Sequence, residues 1–390
     1  MKICGVIAEY NPFHNGHQYQ LSEARRLSGC DYLIVVMGGA FSQRGEVMCL
    51  DKWTRARMAL ENGADLVVEL PALFAVRSAD YFALGGVKIL SGLGADAISF
   101  GCETDDLPLL SQIVAMLSDE DEALKEAIRS RLAEGQSHVR ARGEAAAERL
   151  GLDAALLSQP NTALALEYMR VNRSLARPMD VHIVRRTAGY HDQTVHSLAS
   201  ASAIRSALSR SEIAPIRCSM PKSAYELLNL SLNGRIADMS RLDALLIDRL
   251  RTLSIDSLPD TGEGLHNRVK KCAGECGSRE TLLSALKCKR YTHARLSRLC
   301  AHALLGLTQD FACAHPEPSY ARVLGFRRDA SPLLTHLQQA PLPVVVRASA
   351  LRDDPLFLLE RRATDLQSLC FPDETARRAG RDLTEKMLVI

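Results

Sequence analysis

The chain has 390 residues, 47% of them hydrophobic and 24% charged. It is long enough for two domains with sizeable cores, and no uncharged apolar run approaches the ~20 residues of a membrane-spanning helix. The formal net charge of +2 hides an asymmetry: residues 1–220 hold 23 Lys+Arg against 26 Asp+Glu, so the second half carries the excess of positive charge. A basic second half hints at a polyanionic partner, although many basic faces are simply solvated. Eleven cysteines lack a framework of spacings. Reduced thiols and an opening segment that reads as a strand, not a cleaved signal, lead to an expected cytoplasmic location. Cys272 and Cys276, with Cys288, His293 and Cys300 downstream, do not match a usual zinc spacing, so no metal site is expected there.

In chain order, the apolar run Ile3–Ala8 predicts a first strand, and a helical pattern follows from Gly16 to Leu27. Tyr32–Met37 predicts a second strand, closed by Gly38-Gly39. Asp51 can cap a helix that ends at Asn62-Gly63, and Leu66–Leu70 is a third strand halted by Pro71. Ser78 can cap a helix to Leu93, and Ala97–Phe100 is a fourth strand. Short buried runs alternating with helices predict an α/β fold with a Rossmann-like doubly wound parallel sheet. Residues 105–175 read as consecutive helices, Val181–Val184 as another strand, and Ser200–Leu208 as a short helix. Ala214-Pro215 to Met220-Pro221 is the candidate linker. It divides a catalytic domain, residues 1–218, from a mainly helical domain, residues 219–390, with one strand-like segment at Val344–Val346.

The segment Asn11-Pro12-Phe13-His14-Asn15-Gly16-His17 stands between the first strand and the first helix. Ligands of open α/β sheets bind at the carboxyl ends of strands, and a helix N-terminus offers free N–H groups to phosphate. His14 and His17 at that entry can aim donors at one phosphate, and Gly16 lets a triphosphate approach the backbone. Such donors suit nucleotidyl transfer, in which charge builds on the α-phosphate oxygens. Neither a Gly-x-x-x-x-Gly-Lys loop nor a Gly-x-Gly-x-x-Gly turn occurs in these units.

The run Ile7-Ala8-Glu9-Tyr10-Asn11-Pro12-Phe13-His14-Asn15-Gly16-His17 resembles the bacterial tRNA(Met) cytidine acetate ligases, of the His-x-Gly-His nucleotidyltransferase superfamily. The likeness continues through Gln43-Arg44-Gly45-Glu46, Asp51-Lys52-Trp53-Thr54-Arg55, Asn62 to Pro71, Ser78 to Ala83, Phe100 to Glu103, Pro160-Asn161, Ala188 to Asp192 and Ser200 to Arg205. It resumes at Lys289-Arg290-Tyr291-Thr292 with Arg295 and at Arg322 to Phe326, so it spans most of the chain. The resemblance implies that ATP, with Mg2+, and acetate give acetyl-adenylate. The acetyl group then passes to N4 of the wobble cytidine of elongator tRNA(Met). It implies ATP contacts from Ile7 to Gln20, including Gln18 and Tyr19, and at Gly101, Asn161 and Arg185 or Arg186, with His14 and His17 catalytic. Ser202 and Arg205 resemble a phosphate-binding segment of the superfamily. After the second strand the family's Ser-Gly-Asn-Phe reads Gly38-Gly39-Ala40-Phe41, which puts acetate placement in question.

Several residues admit a plainer role. Asn161 after Pro160 also suits a helix cap, Gly101 a simple turn, and Ser200 to Arg205 a capped surface helix. Arg185 and Arg186 end a strand, where at least one should face the ligand crevice. Lys52, Arg55 and Arg57 fit a solvated helix face or an RNA surface equally well. In the second half Lys270, Lys271, Lys287, Lys289, Arg290, Arg295, Arg298, Arg327 and Arg328 can meet phosphates, and Tyr291 or Phe326 can stack on a base. Charge alone does not separate that from solvated helices; the resemblance favours tRNA. The rival functions are an adenylyl- or cytidylyltransferase for a small phosphorylated substrate, and a non-catalytic nucleotide-sensing RNA-binding protein.

Overall fold

A computed structural model describes residues 1–136, 138–186, 200–288 and 290–390. Its centre is an eight-stranded sheet: β1 Ile3–Ala8, β2 Tyr32–Gly38, β3 Leu66–Leu70, β4 Ala97–Cys102, β5 Asp180–Arg185, β6 Ala321–Phe326, β7 Val344–Val345 and β8 Leu388–Val389. The order is β5-β4-β1-β2-β3-β6-β7, with β8 beside β6. The first five strands are mutually parallel, whereas β6 runs antiparallel to β3. The expected Rossmann-like sheet is therefore present, with a helical region after it.

The apolar strands work on both faces. Ile3 and Ile7 of β1 and Ile34 and Val36 of β2 enter one core; Cys4, Val6, Leu33, Val35 and Met37 enter the other. That alternation follows from the two-residue period of a strand, and a sheet buried on both sides needs continuous apolar runs. Helices Ala79–Gly92 and Pro160–Arg173 and much of the C-terminal helical region cover the first face. Helices Asn15–Ser28, Lys52–Glu61, Ala201–Ser209 and Lys222–Ser231 cover the second. No described helix is long and apolar enough to cross a membrane.

Two expectations differ from the structure. The proposed linker forms a short 3-10 helix, Ala214–Ser219, whose Ile216 is fully buried in the second core. The helical second half also contributes β6 and β8 to the sheet, besides the expected β7. β6 is hard to read locally because its Arg322 is buried by ion pairing, which no nearby pattern announces.

Candidate functional site

The site begins at the carboxyl end of β1. Tyr10 turns the chain with a left-handed φ of 51°, and the Asn11–Pro12 peptide is cis. The buried Tyr10 ring then packs against Phe13 and His17, each with centroids 4.8 Å away. His14 is the N-cap of helix Asn15–Ser28. Its Nδ1 accepts the Gly16 N–H at 3.1 Å, and His17 Nδ1 accepts the His14 N–H at 3.2 Å. A Cβ on Gly16 would lie 2.9 Å from His14 Cε1, so glycine is needed here to admit the histidine ring.

These bonds settle the tautomers. Each Nδ1 is an acceptor, so in the neutral imidazole the hydrogen sits on Nε2. The rings stack with centroids 3.7 Å apart and 27° between planes, and both line the same cleft. Burial, then the Arg186 charge, pushes the His14 pKa down to about 3. Burial, His14 and Arg186 hold His17 well below its ordinary value. Two neutral Nε2–H donors on stacked rings result.

The cleft, about 240 Å³, is bounded at β1 by Ile7, Ala8, Glu9, Tyr10 and Asn11, and on the first helix by His14, His17 and Gln20. Gly101 at the end of β4, Asn161 and Arg186 face it, as do Ser202 and Arg205. Asn161 is in the first turn of its helix but does not cap it; Gln159 is the N-cap. Its Nδ2 donates to Glu103 at 2.6 Å, and Glu103 also accepts the Thr162 N–H at 2.7 Å. Arg205 donates to the Asn11 carbonyl at 2.8 Å and to Ser202 Oγ at 3.3 Å. Burial raises the Glu9 pKa, against the Gln43 N–H bond and the charges of Arg205, Arg44 and Arg55.

Other expected residues stand elsewhere. Pro12 and Phe13 are buried beneath the turn. Asn15 donates to the Cys218 carbonyl at 2.9 Å, Gln18 to Asn62 at 3.3 Å, and Tyr19 is 51% exposed. Arg185 points away from the cleft, 4.0 Å from Asp105, while Arg186 faces in. Ala40 lies in the apolar core, and Gly38, Gly39 and Ala40 are not among the residues that line the cleft. Tyr291 is buried, with its hydroxyl donating to the Glu263 carbonyl at 2.6 Å, so it is not available to stack. The loop Ala188 to Asp192 and Lys289 lie outside the described residues.

Three features carry no local signal. The loop Ser42, Gln43, Arg44 and Glu46 forms one wall, and Phe82, Phe100, Leu164 and Tyr168 form an apolar one. Arg55, neither solvated nor facing RNA, is fully buried: its guanidinium donates to the carbonyls of Glu9 at 2.7 Å, Gly38 at 2.9 Å, Leu50 at 3.1 Å and Gly39. It ties the ends of β1 and β2 together beneath the site. Lys52 is also buried, and only Arg57 meets solvent, beside Glu61.

Neutral imidazole donors and two arginines at a helix N-terminus, beside an apolar wall, suit an anionic group joined to a base. The HIGH Nucleotidyl Transferase family model matches residues 1–382. A tRNA(Met) cytidine acetate ligase of Acetivibrio thermocellus is 34% identical, with all of both chains covered. One from Latilactobacillus sakei is 38% identical over 90% of this chain and 89% of its own. The crystal structure of apo Thermotoga maritima TmcAL superposes with a TM-score of 0.94 at 31% identity, covering all of both chains. The same protein bound with alpha-thio ATP gives a TM-score of 0.91 at 31% identity, over 100% of this chain and 99% of its own.

Proposed function

We infer the function from one premise: the chain belongs to the tRNA(Met) cytidine acetate ligase family of HIGH nucleotidyl transferases. It acts in the cytoplasm as an ATP-dependent ligase. A carboxylate oxygen of acetate attacks the α-phosphorus of ATP; the bond to the bridging oxygen breaks, and pyrophosphate leaves with the electron pair. The N4 amine of the wobble cytidine in elongator tRNA(Met) then attacks the acetyl carbonyl. AMP leaves with the electron pair of the C–O bond, and the nitrogen gives up one proton.

The observation that carries this reading is the paired Nε2–H donors of His14 and His17. As the pentacoordinate α-phosphorus gathers charge, donors already oriented and already desolvated stabilise it without reorganisation. Arg186 and Arg205 supply the positive charge, and the helix N-terminus adds its dipole. Adenine lies along Phe100 and Leu164. There Asn161, with Nδ2 held by Glu103, keeps its Oδ1 as an acceptor for an amino group. Glu9 and Glu46 are the cleft carboxylates that would hold a magnesium ion accompanying ATP, and the ion would neutralise phosphate charge. In this reading residues 1–218 hold the nucleotide, and residues 219–390 supply most of the contacts to the RNA.

Pyrophosphate exchange into ATP by the purified protein is expected to require acetate, and nucleoside mass spectrometry of the treated tRNA(Met) to find N4-acetylcytidine. Acetyl transfer from acetyl-coenzyme A without ATP would overturn the reading.

A further inference from the structure

The loop that walls the cleft rests on the second half of the chain. Gly45, with a φ of 74°, is pressed against helix His293–Leu305: a Cβ there would stand 2.6 Å from the Ser297 carbonyl oxygen and 2.7 Å from the Arg298 backbone. Its neighbours Arg44 and Glu46 face the cleft. Three arginines lie along or against this helix. Arg279 Nη2 donates to Ser297 Oγ at 2.6 Å, next to Arg298 in sequence. One turn on, His302 bonds the Val76 carbonyl at 2.9 Å, which sets Val76 and Arg77 against the same helix face as Arg298. Arg77 lies flat on the Tyr81 ring, 3.5 Å from its centroid, and the residue after Tyr81, Phe82, is part of the cleft wall.

The chemistry of the three is alike. Arg77 is 3% exposed, and Arg279 and Arg298 are half-buried. The buried Nε of each has no hydrogen-bond partner, and none of the three is ion-paired among the described residues. Asp80 and Asp260 stand near Arg298, outside ion-pair distance. A guanidinium taken from water with no carboxylate at ion-pair distance costs stability. The group that repays this is an anion with several oxygens in one plane of reach. Phosphate takes such forks in pairs of N–H bonds.

We propose that Arg77, Arg279 and Arg298 form a phosphate-binding site for the RNA strand whose nucleoside is acetylated in the adjacent cleft. The inference rests on the functional reading above and adds the place where the acceptor strand is held. Phosphate contacts fix register without reading sequence, so this site positions the strand while the cleft selects the base. Because Gly45 joins the two, the held strand and the nucleotide share one wall.

The test uses the full-length protein and an unmodified elongator tRNA(Met) transcript, with affinity measured across a salt series. Arg279→Gln and Arg298→Gln, half-exposed positions with wild-type melting temperatures expected, should each bind about tenfold more weakly. The slope of log affinity against log salt should shrink by roughly 0.7–0.9 for each phosphate no longer neutralised. Arg298→Lys should keep the slope, because a lysine still displaces a counterion. Arg77→Gln tests the deepest member, and Arg77→Lys covers the case in which the neutral variant unfolds. Folded glutamine variants with wild-type affinity and slope overturn the site, and leave the ligase reading standing if wild type binds tRNA and exchanges pyrophosphate with acetate. A wild type that does neither overturns the ligase reading first.

Discussion

Two charged regions of this molecule are built on opposite plans. Behind the sheet, Lys52 Nζ lies 2.5 Å from Glu69 and 2.6 Å from Asp382, while Arg322 pairs with Glu69 at 2.9 Å and with Asp382. All four are buried, two cations against two anions, drawn from helix Lys52–Glu61, β3, β6 and the C-terminal segment. Glu360, alongside, has its carboxyl pKa pushed well up by burial and by Glu69, and accepts the Ala72 N–H. At the cleft and its rim the positive groups are not closed in this way. His14 and His17 present uncharged donors beside Arg186, and Arg77, Arg279 and Arg298 meet no carboxylate at ion-pair distance among the described residues. The first region uses charge to fasten distant segments; the second holds polar groups in readiness for anions from outside. A fold can bury both, because in each the desolvated charge has a partner, internal or incoming.

The widest effect should come from breaking the closed cluster. Arg322→Ala leaves two buried carboxylates facing one lysine and should cost about 3–5 kcal/mol of stability in denaturant titration. A loss below about 1 kcal/mol would show that the cluster is not what fastens β6 to the sheet. A smaller effect is expected within the open region, where the cleft meets its rim. Gly45→Ala places a Cβ at a φ of 74° against helix His293–Leu305 and should cost about 1–3 kcal/mol. It should also reduce the rise in melting temperature that saturating ATP gives wild type. An unchanged rise would separate that loop from the nucleotide site.

Near neutral pH the smallest effect is that of proton binding, which grows only as pH falls below 6.5. Without ATP, His14 keeps a pKa of about 3 in the folded state against 6.5 when free. Between those values the unfolded chain binds the extra proton, so stability is full above 6.5 and falls as pH drops toward 3. His17, shifted the same way, adds to that slope. His14→Gln should flatten the decline in the pH series; a slope equal to wild type would mean that the folded protein protonates the ring as readily as the unfolded chain does.

Much of this is legible in the sequence where physics is local. Ile3–Ala8 and Leu66–Leu70 match the sheet to the residue, because each is a continuous apolar run with a clear stop. Asp51 caps its helix through the Thr54 N–H at 3.0 Å, as its position implies. His14, Gly16 and His17 announce a site because strand, turn and helix surround them. The reason for Gly16 does not show, since it lies in the room that the His14 ring needs. Lys52 and Arg55 look like solvated residues because their partners are far away in the chain: Glu69 and Asp382 for one, the carbonyls of Glu9, Gly38 and Gly39 for the other. Between Arg185 and Arg186, sequence says only that one of them faces the crevice. The alternation of a strand end decides which.

The central claim is that His14 and His17 stabilise charge on the α-phosphate. It is tested most directly by acetate-dependent pyrophosphate exchange in wild type, His14→Ala, His17→Ala and the double variant, with thermal melts confirming the fold. Each single loss should slow exchange by about a hundred- to thousand-fold, on the order of 3–4 kcal/mol, with ATP affinity reduced far less. The double variant should lose less than the sum, because both donors serve one charge. Well-folded single variants that exchange at near wild-type rates would contradict the account.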